Sequence, residues 1–474
     1  MFDVVVIGGG VVGGLILREL TKYALQVCLV EKESDVCMGA SKANSGIVHA
    51  GFDAPVGSLK AKFNVAGNRL MEGVCRDLGV KFRRNGSLVV AFSAEEISTL
   101  HALKQRGEDN GVEGLEILDK AQLRAKEKHI SDDAVGALYA PTGGIVCPYT
   151  LTIAAIGNAM DNGAVLMTDF TVTAIEKTGN GYLVKSEDGQ AVETRCVVNC
   201  AGLYSGKIAE LVGDNLSIGA RKGEYILLDR ESGNFVSHTL FFTPTELGKG
   251  ILVTPTVDGN ILLGPTAKAG DDSRATTADG LAFVTEKVQR MCKNPPLYHT
   301  ITAFAGVRAF SDRHDFIIEE SKNAKGVFHC AGIESPGLTA APAIANYVVE
   351  TLIGARITLA ENKRFYGKRT PDSFFKDLSM DEKNELIKKD PSYGKIVCRC
   401  EQVTEGEILR AIRENPPAKD IDGVKRRTRA GMGRCQGGFC QPYVAELIAK
   451  EGGMSLMKVT KSGKGAHLLT GVTK

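Results

Sequence analysis

Four cysteines near the carboxyl end have the residue type and spacing most suggestive of chemistry. They stand as Cys398-x-Cys400 in VCRC and, after 34 intervening residues, Cys435-x4-Cys440 in RCQGGFC. Zinc knuckles and ribbons use C-x2-4-C at both ends, a spacing the tight C-x-C pair fits poorly, so zinc stands as the alternative metal. A disulfide framework belongs to oxidising compartments, which nothing else in the chain suggests. Four thiolates also suit a [2Fe–2S] cluster, whose charge Arg399, Arg426, Arg427, Arg429 and Arg434 are expected to offset, raising its potential. An empty or redox-switching tetrathiol is the remaining reading. Scattered thiols such as Cys28, Cys75 and Cys292 read as reduced core or surface residues.

A second constellation opens the chain. FDVVVIGGGVVGG sets Gly8-x-Gly10-x-x-Gly13 after an apolar run, and a second apolar run ends in Glu31. Gly8 suits a tight turn, Gly10 lets backbone approach a pyrophosphate, and Gly13 lets a helix pack on the strand. The pyrophosphate would sit on the helix amino terminus, with Glu31 accepting from ribose hydroxyls. FAD and NAD both use this device.

The text that follows narrows the choice. The loop NSGIVHAG, the strand end NCAG and the segment AGIESPGLTAAPA follow the fingerprint in that order. Together the four motifs resemble the FAD-dependent oxidoreductases of the D-amino-acid-oxidase type, over about residues 1–360. Within that group the chain looks like the FAD glycerol-3-phosphate dehydrogenases and the L-2-hydroxyglutarate dehydrogenases. The resemblance implies FAD as cofactor. Its binding residues would be Gly8, Gly10, Gly13, Glu31, Lys32, Ala40, Ser41, Asn44, Ser45 and Gly46 from the first segment. Ala201 and Gly202 would join them from the second, and Gly332, Gly337, Leu338 and Thr339 from the third.

Such enzymes oxidise a C–H bond beside a hydroxyl or amine, which calls for a cation to fix a substrate anion and a base to take a proton. His49, in the GIVHAG loop, is the expected base. Arg308, in AFAGVRAF, is the expected anion fork, suited equally to carboxylate or phosphate. Tyr225, in GEYILL, is a third candidate, and Lys60 or Lys62 of GSLKAKFN could touch an anion. FDAPVGSLKA lacks the paired tyrosines common in the hydroxyglutarate enzymes, which weakens the dicarboxylate reading.

The thiol spacings, with helical stretches between and after the pairs, resemble the bacterioferritin-associated-ferredoxin type of [2Fe–2S] domain. A flavin beside a one-electron cluster implies a dehydrogenase with a partner acceptor: a second flavoprotein, a quinone-linked subunit or a soluble carrier. The leading expectation is oxidation of the small anionic hydroxy substrate sn-glycerol 3-phosphate to dihydroxyacetone phosphate. The alternatives are an L-2-hydroxyacid, an amine or opine, or an electron-transfer subunit without a substrate of its own.

These residues need elements to position them. The expected class is α/β: an interrupted Rossmann-type FAD lobe, an α+β substrate lobe with an antiparallel sheet, and a small helical [2Fe–2S] domain. The FAD lobe is expected from about 1–80, 145–215 and 310–360, and the substrate lobe from about 81–144 and 216–309. Asn180-Gly181, Asp188-Gly189 and Asp258-Gly259 signal hairpins. Pro342 is expected in the first turn of a helix. Residues 361–392 read as a linker with one short helix capped by Ser379. Residues 393–452 are the cluster domain, where Thr404 and Glu407 form a capping signal, and 453–474 are a basic, loosely ordered tail.

Composition narrows the partners. The 474 residues carry a net charge of +2, so no global field draws nucleic acid or a membrane surface. No basic leader precedes the first apolar run, and no stretch reaches the roughly 20 apolar residues of a membrane span. The expected place is the cytoplasm, free or peripheral to the inner membrane face through a partner.

Overall fold

A computed structural model describes residues 1–244, 250–370 and 374–471. The amino-terminal run forms the buried strand Phe2–Ile7, because consecutive β-branched residues suit a parallel strand covered on both faces. It pairs in parallel with Val27–Val30 on one side and Ala191–Asn199 on the other. Val165–Met167 and Val327–Ala331 extend this sheet in parallel, while Val172–Thr178, Gly181–Ser186 and Ile317–Glu320 join antiparallel. The helices Val11–Leu20, Pro148–Asp161 and Gly337–Asn346 cover it, with Leu17, Ile156 and Ile344 fully buried between them.

A second sheet is centred on the long antiparallel pair Ile218–Leu228 and Thr300–Ser311. It is antiparallel, as expected, apart from Thr239–Phe242, which runs parallel to Ser87–Ala91. The hairpin signals are met: Gly181, Gly189 and Gly259 have positive φ in the connections they were expected to turn.

The carboxyl-terminal unit packs the helices Glu405–Arg413, Ile421–Thr428 and Gln441–Glu451 around Ile408, Val424, Val444 and Ile448. Thr404 and Glu407 close a reciprocal capping box, as do Ser379 and Glu382 on the helix Met380–Lys389.

Four expectations need correction. Pro342 lies inside the helix Gly337–Asn346, because the helix already begins after Pro336 and runs on past the proline. The segment after 360 is a strap as much as a linker: Asn158 and Asn162 donate to the Tyr366 carbonyl, Arg18 to Gly367, and Arg369 to Asn415. The tail is tied down over its described residues, 453–471, since Thr460 bridges His467 and Gly463 donates to Asp420. Finally, most of the arginines near the thiols have other partners. Arg426 and Arg427 bind Asp35, Arg429 binds Glu401, Asp258 and Asn260, and Arg434 binds Asp229 and Glu231. They clamp the small unit to both sheets, because acids of the larger body meet them there.

Candidate active site and thiol centre

Between the two sheets lies a cavity of about 1490 Å³. Gly8, Gly10, Glu31 and Lys32 line one end, the loop residues Ala40, Ser41, Asn44 and Ser45 one wall, and Ala201, Gly202, Gly337 and Leu338 another. His49, Tyr225 and Arg308 line the same cavity, so the structure brings most expected cofactor positions together with all three expected catalytic ones. Gly13, Gly46, Gly332 and Thr339 are not among its lining residues and act by shaping it.

The dinucleotide end fits its group. Gly8 has φ +110°, and a Cβ there would stand 2.5 Å from the Cys200 carbonyl oxygen. A Cβ on Gly13 would stand 2.1 Å from the Gly8 carbonyl oxygen, which is why helix and strand need glycine at both places. The helix Val11–Leu20 starts at Gly10 with no cap from its own side chains, and Ser41 Oγ accepts from Val11 N at 2.9 Å. Glu31 accepts from the backbone N–H groups of Gly9 at 2.7 Å and Glu33 at 3.0 Å. Burial nevertheless raises its carboxyl above the usual range. The glycine cradle, exposed helix N–H groups and acid at the second strand end suit the ADP half of FAD.

At the other end the loop is held firmly. Asn44 accepts from Gly46 N and donates to the carbonyls of Ala40 and Ser41. Gly46, at φ +66°, lies on the Val146 carbonyl. The His49 N–H donates to Thr339 Oγ1 at 2.9 Å, and its carbonyl accepts from Asn64 and Asn68. Its ring packs on Phe241, and Nε2 lies 3.2 Å from Ser335 Oγ. Ser335 was not foreseen, because nothing in its local text distinguishes it from a turn residue. Gly332, at φ +63° against Ser311, bends the chain that carries it.

Arg308 donates through Nη2 to the Thr266 carbonyl at 3.0 Å, while its buried Nε has no hydrogen-bond partner. A buried guanidinium N–H left open is costly unless a ligand oxygen meets it, so the position suits a bound anion. Tyr225 stacks on Phe304 at 4.9 Å, and burial pushes its phenol up, with the Arg308 charge pulling the other way. Lys60 also lines the cavity and pairs with Glu334 at 3.0 Å, and Arg221 binds the other oxygen of Glu334 at 2.9 Å. Lys62 instead lies over the Phe63 and Tyr347 rings.

In the small unit the thiols stand as two pairs. Cys400 Sγ lies 3.5 Å from Cys435 Sγ, and the Cys440 thiol donates to Cys398. Among the described residues no three His, Cys, Asp or Glu side chains converge as a single-ion site. Two pairs suit a two-iron centre, in which each iron takes two thiolates. That hydrogen bond from Cys440 holds the Cys398 thiol down to about 6 against its burial, with help from the Gly431 and Glu401 backbone N–H groups. Backbone N–H groups of Gly437, Phe439 and Gly438 likewise reach the Cys435 sulfur. Sulfurs ringed by backbone donors are what an anionic [2Fe–2S] cluster requires. Cys398 and Cys440 are buried, Cys435 half-buried and Cys400 exposed, so the centre opens to solvent on one side.

Comparison with known proteins agrees with this layout. Residues 3–351 match the family model for FAD dependent oxidoreductase, and residues 396–450 match the BFD-like [2Fe-2S] binding domain. A glycerol 3-phosphate dehydrogenase of Caloramator mitchellensis is 50% identical, over all of this chain and 99% of that protein. A glycerol 3-phosphate oxidase of Mycoplasma genitalium is 32% identical over 74% of this chain and 94% of its own. Among solved structures, the dithionite-reduced L-alpha-glycerophosphate oxidase of Mycoplasma pneumoniae with FAD bound superposes with a TM-score of 0.74. It is 31% identical and covers 78% of this chain and 98% of its own. The chain belongs to the FAD-dependent oxidoreductase family of the D-amino-acid-oxidase type and carries a BFD-like [2Fe–2S]-binding domain after its FAD body.

Proposed function

We propose that the protein oxidises sn-glycerol 3-phosphate to dihydroxyacetone phosphate and hands the electrons through its cluster to a partner. The observation that carries this reading is the meeting of His49, Ser335 and the buried, open Nε of Arg308 in one cavity. It is supported by the full-length likeness to a glycerol 3-phosphate dehydrogenase.

Arg308 holds the phosphate, with Arg221 opposite it on the paired strand; Arg221 and Lys60 line the same cavity and share Glu334. His49 Nε2 takes the hydroxyl proton as the carbonyl forms, which requires the ring proton on Nδ1. The Ser335 hydroxyl then donates to Nε2 and gives way to the substrate hydroxyl. The Thr339, Asn64 and Asn68 contacts fix the His49 backbone, so the base is positioned before substrate arrives. FAD, held at the Gly8–Gly10 turn and Glu31, would supply the two-electron acceptor for the carbon that bears the hydroxyl. The thiol centre supplies one-electron chemistry, and its acceptor is a second flavoprotein or a quinone-linked subunit.

Turnover with a one-electron dye, followed with sn-glycerol 3-phosphate, L-2-hydroxyglutarate and amino acids, tests the reading. Dihydroxyacetone phosphate as product with the first substrate is expected. Faster turnover of a hydroxyacid or an amine would replace the substrate named here.

A further inference from the structure

The cofactor cavity and the thiol centre are joined by one continuous stretch of contacts. Ser45 and Ile47 line the cavity, and the Gly46 carbonyl between them accepts from Val146 N at 2.8 Å. Three residues further along the chain, Tyr149 leaves the FAD body through its side chain. Its hydroxyl lies 3.5 Å from Met432 Sδ and 3.4 Å from Arg429 Nη1, both in the small unit. Met432 leads directly into the thiol loop: a Cβ on Gly433 would stand 2.3 Å from Cys400 Cβ, and Cys435 follows two residues later. The contact is held from both sides. Arg429 is buried among Glu401, Asp258 and Asn260, and Arg426 and Arg427 close on Asp35 nearby. A domain pinned in this way has no need to swing between cofactor and partner, so its internal contacts decide how electrons reach the thiols.

We infer that Tyr149 and Met432 form the contact over which electrons cross from the FAD body to the [2Fe–2S] domain. Tyr149 acts as a positioning residue that keeps the gap between the two units filled. It stays neutral, since burial pushes its hydroxyl well above the ordinary range. The electron count is simple. Oxidation of one substrate would release two electrons to bound flavin, and a [2Fe–2S] cluster on the four thiols would accept them singly. A one-electron acceptor removes the first before the second crosses, and the protons go to water. The inference rests on the reading of this chain as a flavin-to-cluster dehydrogenase, and not on which alcohol it oxidises.

The test uses the full chain carrying both cofactors, with Tyr149→Leu, Tyr149→Phe and Met432→Leu. Flavin is reduced either by sn-glycerol 3-phosphate in a stopped-flow instrument or, without substrate, by a light flash and a sacrificial donor. Flavin and cluster absorbance are followed separately, and the cluster potential is titrated by electron resonance. Tyr149→Leu is expected to slow cluster reduction about tenfold, with flavin bleaching and cluster potential unchanged. Tyr149→Phe and Met432→Leu, which preserve bulk, are expected to slow it less, and they carry the test if the leucine variant loses its cluster. Wild-type cluster reduction in every variant that retains iron overturns the inference. Absence of bleaching by substrate, with normal transfer after the flash, counts against the proposed substrate and leaves the path standing.

Discussion

Arg427 and Asp35, 392 positions apart, form a two-pronged ion pair, with Nη1 on Oδ2 and Nη2 on Oδ1, each at 2.8 Å. Arg426 adds a bond of 2.6 Å to the same carboxylate. All three side chains are less than a tenth exposed. Asp35 follows Glu31 by four residues, so the pair joins the cluster domain to the strand end proposed to hold the dinucleotide. Asp35→Ala strands two buried guanidiniums and is expected to destabilise docking by roughly 3–5 kcal/mol. Thermal unfolding of the holoprotein should then show the cluster domain melting ahead of the body, in place of one transition.

The same pair sets a pH window. Burial acts to raise the Asp35 carboxyl, but Arg427 and Arg426 outweigh it and hold it at about 2, below an ordinary 3.8. A depressed folded value contributes stability that is full above the unfolded value and is lost as pH falls through the folded one. About 2 kcal/mol is therefore expected to vanish between roughly pH 5 and pH 2. Denaturant midpoints across that range should fall less steeply in Asp35→Asn than in the parent.

Gly8→Ala tests the dinucleotide turn. A methyl 2.5 Å from the Cys200 carbonyl, on backbone at φ +110°, has no room and the wrong conformation. The variant is expected to be recovered without FAD or not to fold. Flavin absorbance per chain is the measurement, and stoichiometric flavin in the variant would contradict the assignment.

His49 and Ser335 should separate by role. Loss of a positioned base costs about 10²–10⁴ in rate, so His49→Gln should lower the flavin reduction rate by that much at saturating substrate. Ser335→Ala removes only an orienting hydroxyl and should cost roughly tenfold or less. The two losses should fall short of additive when combined, because the groups are in contact at 3.2 Å.

Local chemistry was legible in the sequence where its cause is local. The Gly8–Gly13 turn, the Asn-Gly and Asp-Gly hairpins and the capping boxes at Ser379 and Thr404 each depend on residues a few positions apart. The thiol spacing identified the centre for the same reason. Ser335 was invisible because its meaning depends on His49, 286 positions away. Proximity along the chain points the arginines around the thiols toward the cluster. In the structure Asp35, Asp258 and Asp229 claim them, and no local pattern reveals such partners. Pro342 departs from the first turn for a related reason: its helix is set by packing on the helices Val11–Leu20 and Leu59–Asp77, and tertiary burial overrides the usual preference.

The central claim is that sn-glycerol 3-phosphate reduces this flavin and that the electrons continue to the four-cysteine centre. Anaerobic titration of the as-isolated holoprotein with that substrate tests it directly, recording visible absorbance and low-temperature electron resonance on the same samples. The account predicts bleaching of the flavin together with a reduced [2Fe–2S] signal that is absent in Cys398→Ser. An unbleached flavin, or a bleached flavin beside a cluster that stays oxidised while dithionite still reduces it, would contradict the account.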